Sequence, residues 1–365
     1  MPSVLIIGGG IVGCALAYDL TLRGVTVELV ERRGLAREAS WASAGIISAP
    51  TPRLGNKIAL SLLAFRRYPQ LVAEVEATVG FSTGFVRSGM LSLATSEREN
   101  MLRESVAWQQ EQGVRAQWVT ADELRQLEPA VRDGFTGAVW NPDVANLELG
   151  KFALALAQAA AQKGATIREY TPVTAIETHG DRATGVRTVT GRISADTIVI
   201  AAGSWSRMFS ESVGFPIPTR PVRGQMMALA NVPIPIRRIV SSGGNYVVPR
   251  ADGTVHVGAT EEHDAGLDSH VTPAGLAELA AVLDDLAPSL KKGRFVSAWA
   301  GLRPGSEDGE LLVGRVPHLR NVWLATGHFR GGAVLAPATS EVLAESIVSG
   351  VVDPRLAPFD PARLA

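Results

Sequence analysis

A single cysteine, Cys14, is all that 365 residues provide, so no internal disulfide can form and the redox compartment stays open. Net charge is equally scarce: 35 Lys and Arg face 36 Asp and Glu, leaving −1. With neither sign in excess, there is no electrostatic footprint for nucleic acid or an anionic membrane. No uninterrupted apolar run reaches the length of a membrane span. The apolar stretch Val4–Tyr18 has no basic segment before it, which argues against a signal peptide. Six histidines (His179, His256, His263, His270, His318 and His328) make no metal spacing with cysteine or with one another, and no Gly-x-Ser-x-Gly elbow is present. These absences predict a soluble, cytoplasmic protein with no metal, no nucleic-acid partner and no membrane. What remains, 46% hydrophobic and 19% charged, suits a globular chain of about two domains.

What the chain does have begins at Val4, with "VLIIGGGIVGCALAYDLTLRGVTVELVERR". Apolar β-formers lead into Gly8-x-Gly10-x-x-Gly13, a helical pattern follows through Leu22, and Gly24 supplies a stop. "VTVELV" then alternates as a second strand and ends at Glu31, 18 residues after Gly13. Each part has a task in dinucleotide binding. Gly8 allows the tight turn, Gly10 admits a pyrophosphate, and Gly13 lets helix and sheet pack closely. The helix N-terminus offers N–H groups to phosphate, and the acid accepts from ribose hydroxyls. Cys14, one residue on, reads as a small buried helix residue.

A nicotinamide enzyme would continue with more strand–helix units. This chain turns instead to "REASWASAGIISAP" (Arg37–Pro50), where Ala44-Gly45 would let backbone lie against a flat ring. Residues 56–80 read as helix, "GFVRSGMLSLAT" (Gly84–Thr95) as strands around a turn, and 97–113 as an amphipathic helix. Thr120 with Glu123 forms a capping box ahead of Pro129, and Leu147–Gly164 is a strong helix. Strands follow near Ile167–Tyr170 and Val173–Thr178. "ADTIVIAAGSWS" (Ala195–Ser206) is a buried strand expected to return to the first sheet. From Pro216 to Val257, "GQMMALA", "NYVVPR" and "TVHVGAT" alternate between Pro and Gly, as in an antiparallel sheet, and Thr272-Pro273 can start a helix over 272–286. The fold class predicted is α/β (α+β overall): a discontinuous Rossmann-like domain with an inserted, mainly antiparallel β-rich domain. The expected division is 1–80, 145–215 and 303–365 for the nucleotide, and 81–144 and 216–302 for a substrate.

Three segments carry candidate chemistry. "GGNYVVPR" places Tyr246 in or beside a strand, "WAGLRPGSEDGELLVG" places Arg303 between two short turns, and "GHFRGG" places Arg330 just before the last helix. Taken singly, each arginine reads as a solvated or structural cation and Tyr246 as a strand aromatic. Their grouping beside a nucleotide-binding chain favours a functional reading.

With these motifs assembled, the chain resembles the FAD-dependent amino-acid oxidase superfamily and, within it, the glycine oxidases of thiamine biosynthesis. The resemblance rests on "VLIIGGGIVG", "ASAGI", "TPV", "VRGQ", "YVVPR…GTVHVGAT", "WAGLRPGSEDGELLVG" and "GHFRGGAVLAPAT", in the family's order from Val4 to Thr339. It implies that Ile11, Val12, Glu31 and Arg32 hold the phosphates and adenosine of FAD. Ala39, Ser40, Ala44, Gly45 and Ile46 would run along the flavin, with Gly203 also at the cofactor and Val173 at the adenine. His328, Phe329, Arg330, Gly331, Gly332, Ala333 and Val334 would wrap the pyrimidine side. Arg303 would pair with a substrate carboxylate, completed by Tyr246 and Arg330.

The activity implied is oxidation of glycine, with sarcosine or small D-amino acids as further substrates, by molecular oxygen, giving imine or glyoxylate and hydrogen peroxide. No protein general base is required. The FAD would be non-covalent, since no cysteine but Cys14 lies near its segments, and the protein a homo-oligomer, a tetramer by resemblance. A dehydrogenase with another acceptor, or a flavin-binding subunit of a larger complex, are the alternatives. Two positions depart from the family pattern. Gly244-Asn245 precede Tyr246 where a histidine is usual, and Glu261 follows "GAT" where some members are apolar. Both bear on substrate preference.

Overall fold

Ser3–Ile7 is a short run of β-formers, buried from Val4 onward, and it sits inside a six-stranded sheet. A strand flanked on both edges and covered on both faces needs no polar alternation. It pairs in parallel with Thr26–Val30 on one side and Thr197–Ile200 on the other. The sheet continues through Val322–Thr326 to Leu312–Arg315 at one edge and to Thr166–Arg168 at the other, and only the Leu312–Arg315 hairpin is antiparallel. The segment after Ala195 therefore does return to the first strand. The computed structural model describes residues 3–364.

Helix Ile11–Leu22 packs on one face of this sheet, against Leu149–Gln162 and the terminal helix Gly332–Ser349. The other face meets a three-stranded antiparallel sheet (Val173–His179, Arg182–Thr188, Gly191–Ile193) through Ile176, Ala183 and Val186. Both glycine stops act as read: Gly24 and Gly164 take positive φ just past the ends of their helices.

The β-rich part is an eight-stranded sheet. Its order is Arg294–Ser306, Thr219–Ala230, Val255–Gly258, Asn245–Pro249, Ile239–Ser242, Met90–Ala94, Gly137–Asn141 and Gln117–Thr120. All its pairings are antiparallel except Ile239–Ser242 with Met90–Ala94. Helix Pro273–Leu286 covers one face, started by Thr272 Oγ1, which accepts from Gly275 N–H at 3.1 Å. The capping box at Thr120 and Glu123 opens helix Ala121–Leu127.

Two expectations change. Arg303 lies inside the thirteen-residue strand Arg294–Ser306, not between turns. Pro304 and Gly305 are tolerated because this strand is a sheet edge, where a missing N–H breaks no ladder on the open side. Within Gly84–Thr95 only Met90–Ala94 forms a strand. Gly84 and Gly89 both take positive φ and turn the chain, leaving Val86 a lone bridge to Asn146.

Candidate active site

A cavity of about 810 Å³ runs from the glycine turn at Gly8–Val12 to the face of the eight-stranded sheet. At the near end the three glycines differ in purpose. A Cβ on Gly8, whose φ is +116°, would stand 2.5 Å from the Ala201 carbonyl oxygen, and one on Gly13 would stand 2.0 Å from the Gly8 carbonyl oxygen. Strand, turn and helix can meet only without those side chains. Gly10 instead faces the cavity, where a Cβ would meet only Ser40 Oγ at 3.4 Å. Ile11 N–H donates to Ser40 Oγ at 2.9 Å, and no N-cap side chain blocks the helix end. Glu31 accepts from Gly9 N–H at 2.8 Å and Arg33 N–H at 2.9 Å, which fixes its carboxylate at the rim. Arg32 lies over the Trp205 ring at 3.8 Å and pairs with Glu38 at 2.6 Å. Cys14 is buried, its thiol donates to the Gly9 carbonyl, and burial pushes its pKa far up, so it is inert.

Along the cavity, Ala39 and Ser40 belong to the short helix Ala39–Ala42, which rests on Gly301, where a Cβ would stand 2.4 Å from Ala42 Cβ. Ala44, Ile46, Val173 and Gly203 all line the wall. Gly45 does not: a Cβ there would stand 1.8 Å from the Leu147 carbonyl oxygen, so its φ of +67° serves a chain crossing rather than a flat ring. Gly13 and Gly331 also lie behind the wall. Arg250, unremarked in the sequence, donates to the carbonyls of Ala44 and Leu147 at 3.2 Å and to Asn146 Oδ1 at 3.0 Å, tying this crossing to the β-rich sheet.

The terminal helix enters through His328 and the turn Phe329–Gly331. Phe329 holds a left-handed φ of 47°, uncommon for a bulky residue. His328, Phe329, Arg330, Gly332, Ala333 and Val334 line the cavity, so the helix presents its N-terminal turn there. Pro337 cannot donate to the Ala333 carbonyl one turn back. Tyr68 from helix Ile58–Val79 donates its hydroxyl to that carbonyl instead. Next to it, Arg67 binds the Pro337 carbonyl and the buried Asp19, and Ser340 donates to Asp19 at 2.6 Å. Asp19 alone in an apolar helix was the only visible signal of this network, because its partners lie far along the chain. Burial depresses His328 to a pKa of about 4, with Lys57 adding to the effect, so the ring is neutral.

At the far end three side chains meet, each seated on a glycine. A Cβ on Gly224 would stand 2.3 Å from the Arg303 guanidinium, one on Gly258 2.7 Å from the Tyr246 ring, and one on Gly244 3.1 Å from Arg330 Nη1. Arg303 donates to the Thr260 carbonyl at 3.0 Å and the Arg223 carbonyl at 3.4 Å, and forms no ion pair with any described residue. Burial lowers its pKa, Tyr246 opposes that, and the Arg330 charge adds to it. Burial raises the Tyr246 phenol, and the Arg303 and Arg330 charges draw it back. Arg330 pairs with Glu261 at 2.7 Å. Arg223, on the other side, pairs with Glu262 at 2.6 Å and Asp268 at 3.2 Å. Of the three arginines, Arg303 is the one without a carboxylate. No cluster of three or more His, Cys, Asp or Glu among the described residues could hold a metal.

One end thus presents a glycine turn, a helix N-terminus and an acid; the other presents a buried guanidinium facing a cavity large enough for a dinucleotide. Gly10 has open space beside it apart from Ser40 Oγ, so its backbone is accessible from the cavity. This fold and site mark a dinucleotide-dependent oxidoreductase.

The chain belongs to the FAD dependent oxidoreductase (DAO) family, whose profile matches residues 3–346, and FAD is its cofactor. It is 34% identical over 366 residues to a glycine oxidase of Pseudomonas aeruginosa, covering 98% of each chain. A glycine oxidase structure from Geobacillus kaustophilus superposes with a TM-score of 0.88 at 29% identity, covering 100% of this chain and 99% of the other. An iminodiacetate oxidase structure from Chelativorans superposes with a TM-score of 0.89 at 26% identity, covering 98% of each.

Proposed function

We propose that the chain oxidises glycine, with sarcosine and small D-amino acids as secondary substrates, to the imine, which water converts to glyoxylate and ammonia. Molecular oxygen is the acceptor and becomes hydrogen peroxide. The observation that carries this reading is Arg303. A buried guanidinium without a protein carboxylate is costly, and a bound substrate carboxylate supplies the missing partner. The imine serves thiazole assembly in thiamine biosynthesis, a reading supported by the likeness to glycine oxidases rather than by the wider family.

When bound, FAD takes two electrons from the amine and passes them to oxygen. Gly8, Gly10, Ile11, Val12, Glu31 and Arg32 would hold its nucleotide part, with Gly13 letting the helix close on the turn behind them, and Val173 and Gly203 would flank it. Ala39, Ser40, Ala44 and Ile46 would line the middle of its path, with Gly45 serving the chain crossing behind them. The segment His328–Val334 would offer backbone N–H groups and the helix dipole to the flavin. Neutral His328 adds no charge there. Arg303 grips the carboxylate, and the Tyr246 hydroxyl and Arg330 bound the space left for the α-carbon. Among the described residues no Asp or Glu lines that end of the cavity, and Glu261 beside it is held by Arg330, so the amine is read as arriving deprotonated. In this reading 1–80, 145–215 and 303–365 form the FAD-binding part, from which Arg303 and Arg330 also reach the substrate, and 81–144 and 216–302 form the substrate-binding part. The protein acts as a homo-oligomer.

Oxygen uptake by the purified holoenzyme with glycine, sarcosine and D-alanine tests the reaction. Arg303→Ala is expected to lower kcat/KM for glycine by about a hundredfold, mainly through KM, since a charge-assisted hydrogen bond is lost. A yellow protein that no amine bleaches without oxygen would refute the function. An unchanged KM in Arg303→Ala would remove Arg303 from the substrate site.

A further inference from the structure

Adjacent residues, Glu261 and Glu262, pair with two different arginines around Arg303. The backbone pairing that sets this is explicit: Arg223 N–H donates to the Glu262 carbonyl and Glu262 N–H to the Arg223 carbonyl, both at 2.9 Å. Successive side chains of an extended segment point to opposite faces. Glu262 therefore goes to Arg223, and Glu261 goes the other way, to Arg330 at 2.7 Å and His263 Nε2 at 3.1 Å. Arg330 lines the cavity, and Gly244 beneath it has no side chain to hold it off. The Glu261–Arg330 pair is thus fixed by the chain's register. It leaves Arg303 as the pocket's one guanidinium without a carboxylate ion pair among the described residues, with the Glu261 charge acting on it only from a distance.

We propose that Glu261 is a specificity-determining residue: by occupying Arg330 it restricts the pocket to amines bearing a single carboxylate, and excludes those bearing two. This rests on the reading that Arg303 takes the substrate carboxylate. Without Glu261, Arg330 would be a second free guanidinium at the same cavity, able to receive a second anionic group. With it, that group meets the Glu261 carboxylate, and like charges repel. Substrates with a neutral substituent, on nitrogen or on the α-carbon, meet no such barrier.

The test uses the FAD-loaded enzyme and reads kcat and KM for glycine, sarcosine and iminodiacetate, which is glycine with a second carboxymethyl group on nitrogen. Glu261→Gln is expected to raise the iminodiacetate-to-glycine ratio of kcat/KM by about tenfold, through KM. That is the low end for a charge-assisted hydrogen bond, because the Arg330 side chain is 41% exposed. The sarcosine-to-glycine ratio, which reports the size of the nitrogen substituent without charge, should stay level. In Glu261→Gln/Arg330→Met the gain should vanish. Inhibition of the unmodified enzyme gives a second reading that needs no variant: malonate should bind no tighter than acetate.

A ratio unmoved by Glu261→Gln, a gain that survives loss of Arg330, or malonate binding about tenfold tighter than acetate would each overturn the role of Glu261 while leaving glycine oxidation standing. If no amine is oxidised by any form, the proposed function itself fails, and this inference with it.

Discussion

Gly224→Ala separates the requirements of the fold from those of the site. The Cβ it adds would stand 2.3 Å from Cζ, Nη1 and Nη2 of Arg303, about 1 Å inside the 3.4 Å at which ordinary contact begins. The atoms it meets are the tip of a long side chain, not backbone, so Arg303 moves and the strands Thr219–Ala230 and Arg294–Ser306 keep their register. Strand interiors also gain slightly when glycine becomes alanine. Stability should therefore hold or rise. The guanidinium, though, must retreat by about 1 Å, stretching its bond to the Thr260 carbonyl and displacing any carboxylate it holds. A misplacement of that size costs on the order of a hundredfold in rate. Oxygen uptake against glycine concentration should show kcat/KM down by about that factor, with FAD content and thermal midpoint unchanged. A variant within about threefold of the parent, with FAD bound, would show that Arg303 is not positioned by its seat on Gly224.

Tyr68→Phe should leave the Ala333 carbonyl unpaired beside Pro337, lowering stability by about 1–3 kcal/mol. An unchanged urea midpoint would mean that another group, or water, satisfies that carbonyl. His328 is held at a pKa of about 4 against the usual 6.5, so between those values the unfolded chain binds a proton that the folded chain does not. Its contribution is complete above pH 6.5 and is lost as pH falls toward 4, up to about 3 kcal/mol. His328→Gln should flatten the fall in thermal midpoint across that window, and parallel curves for the two proteins would contradict it.

The nucleotide half was legible because its signals are local. Strand, glycine turn, helix and acid follow one another between Val4 and Glu31, and each dictates its own geometry. The helix caps at Thr120 and Thr272 were legible for the same reason. Arg303 was assigned its role but not its setting, since Pro304 and Gly305 signal a turn wherever edge and central strands cannot be told apart. The glycine seats were out of reach. Gly224, Gly244 and Gly258 matter through side chains on other elements or at register positions that only the assembled sheet defines. Glu261 stood out as a departure from a pattern, and its meaning emerged once Arg330 was beside it.

The strand order also sets a timetable for synthesis. Ser3–Ile7 gains Thr26–Val30 almost at once, but its other neighbour, Thr197–Ile200, lies some 170 residues beyond that, and Val322–Thr326 later again. At about 5–20 residues per second, the strand's second edge stays bare for on the order of ten to forty seconds. The last stretch of cavity wall, ending at Val334, comes later still. A growing chain has the phosphate turn long before it has anything to enclose the ring. Nucleotide capture is therefore expected of chains already extended past Val334, and cells short of FAD would accumulate translated protein whose central sheet is built but whose cavity is unfilled.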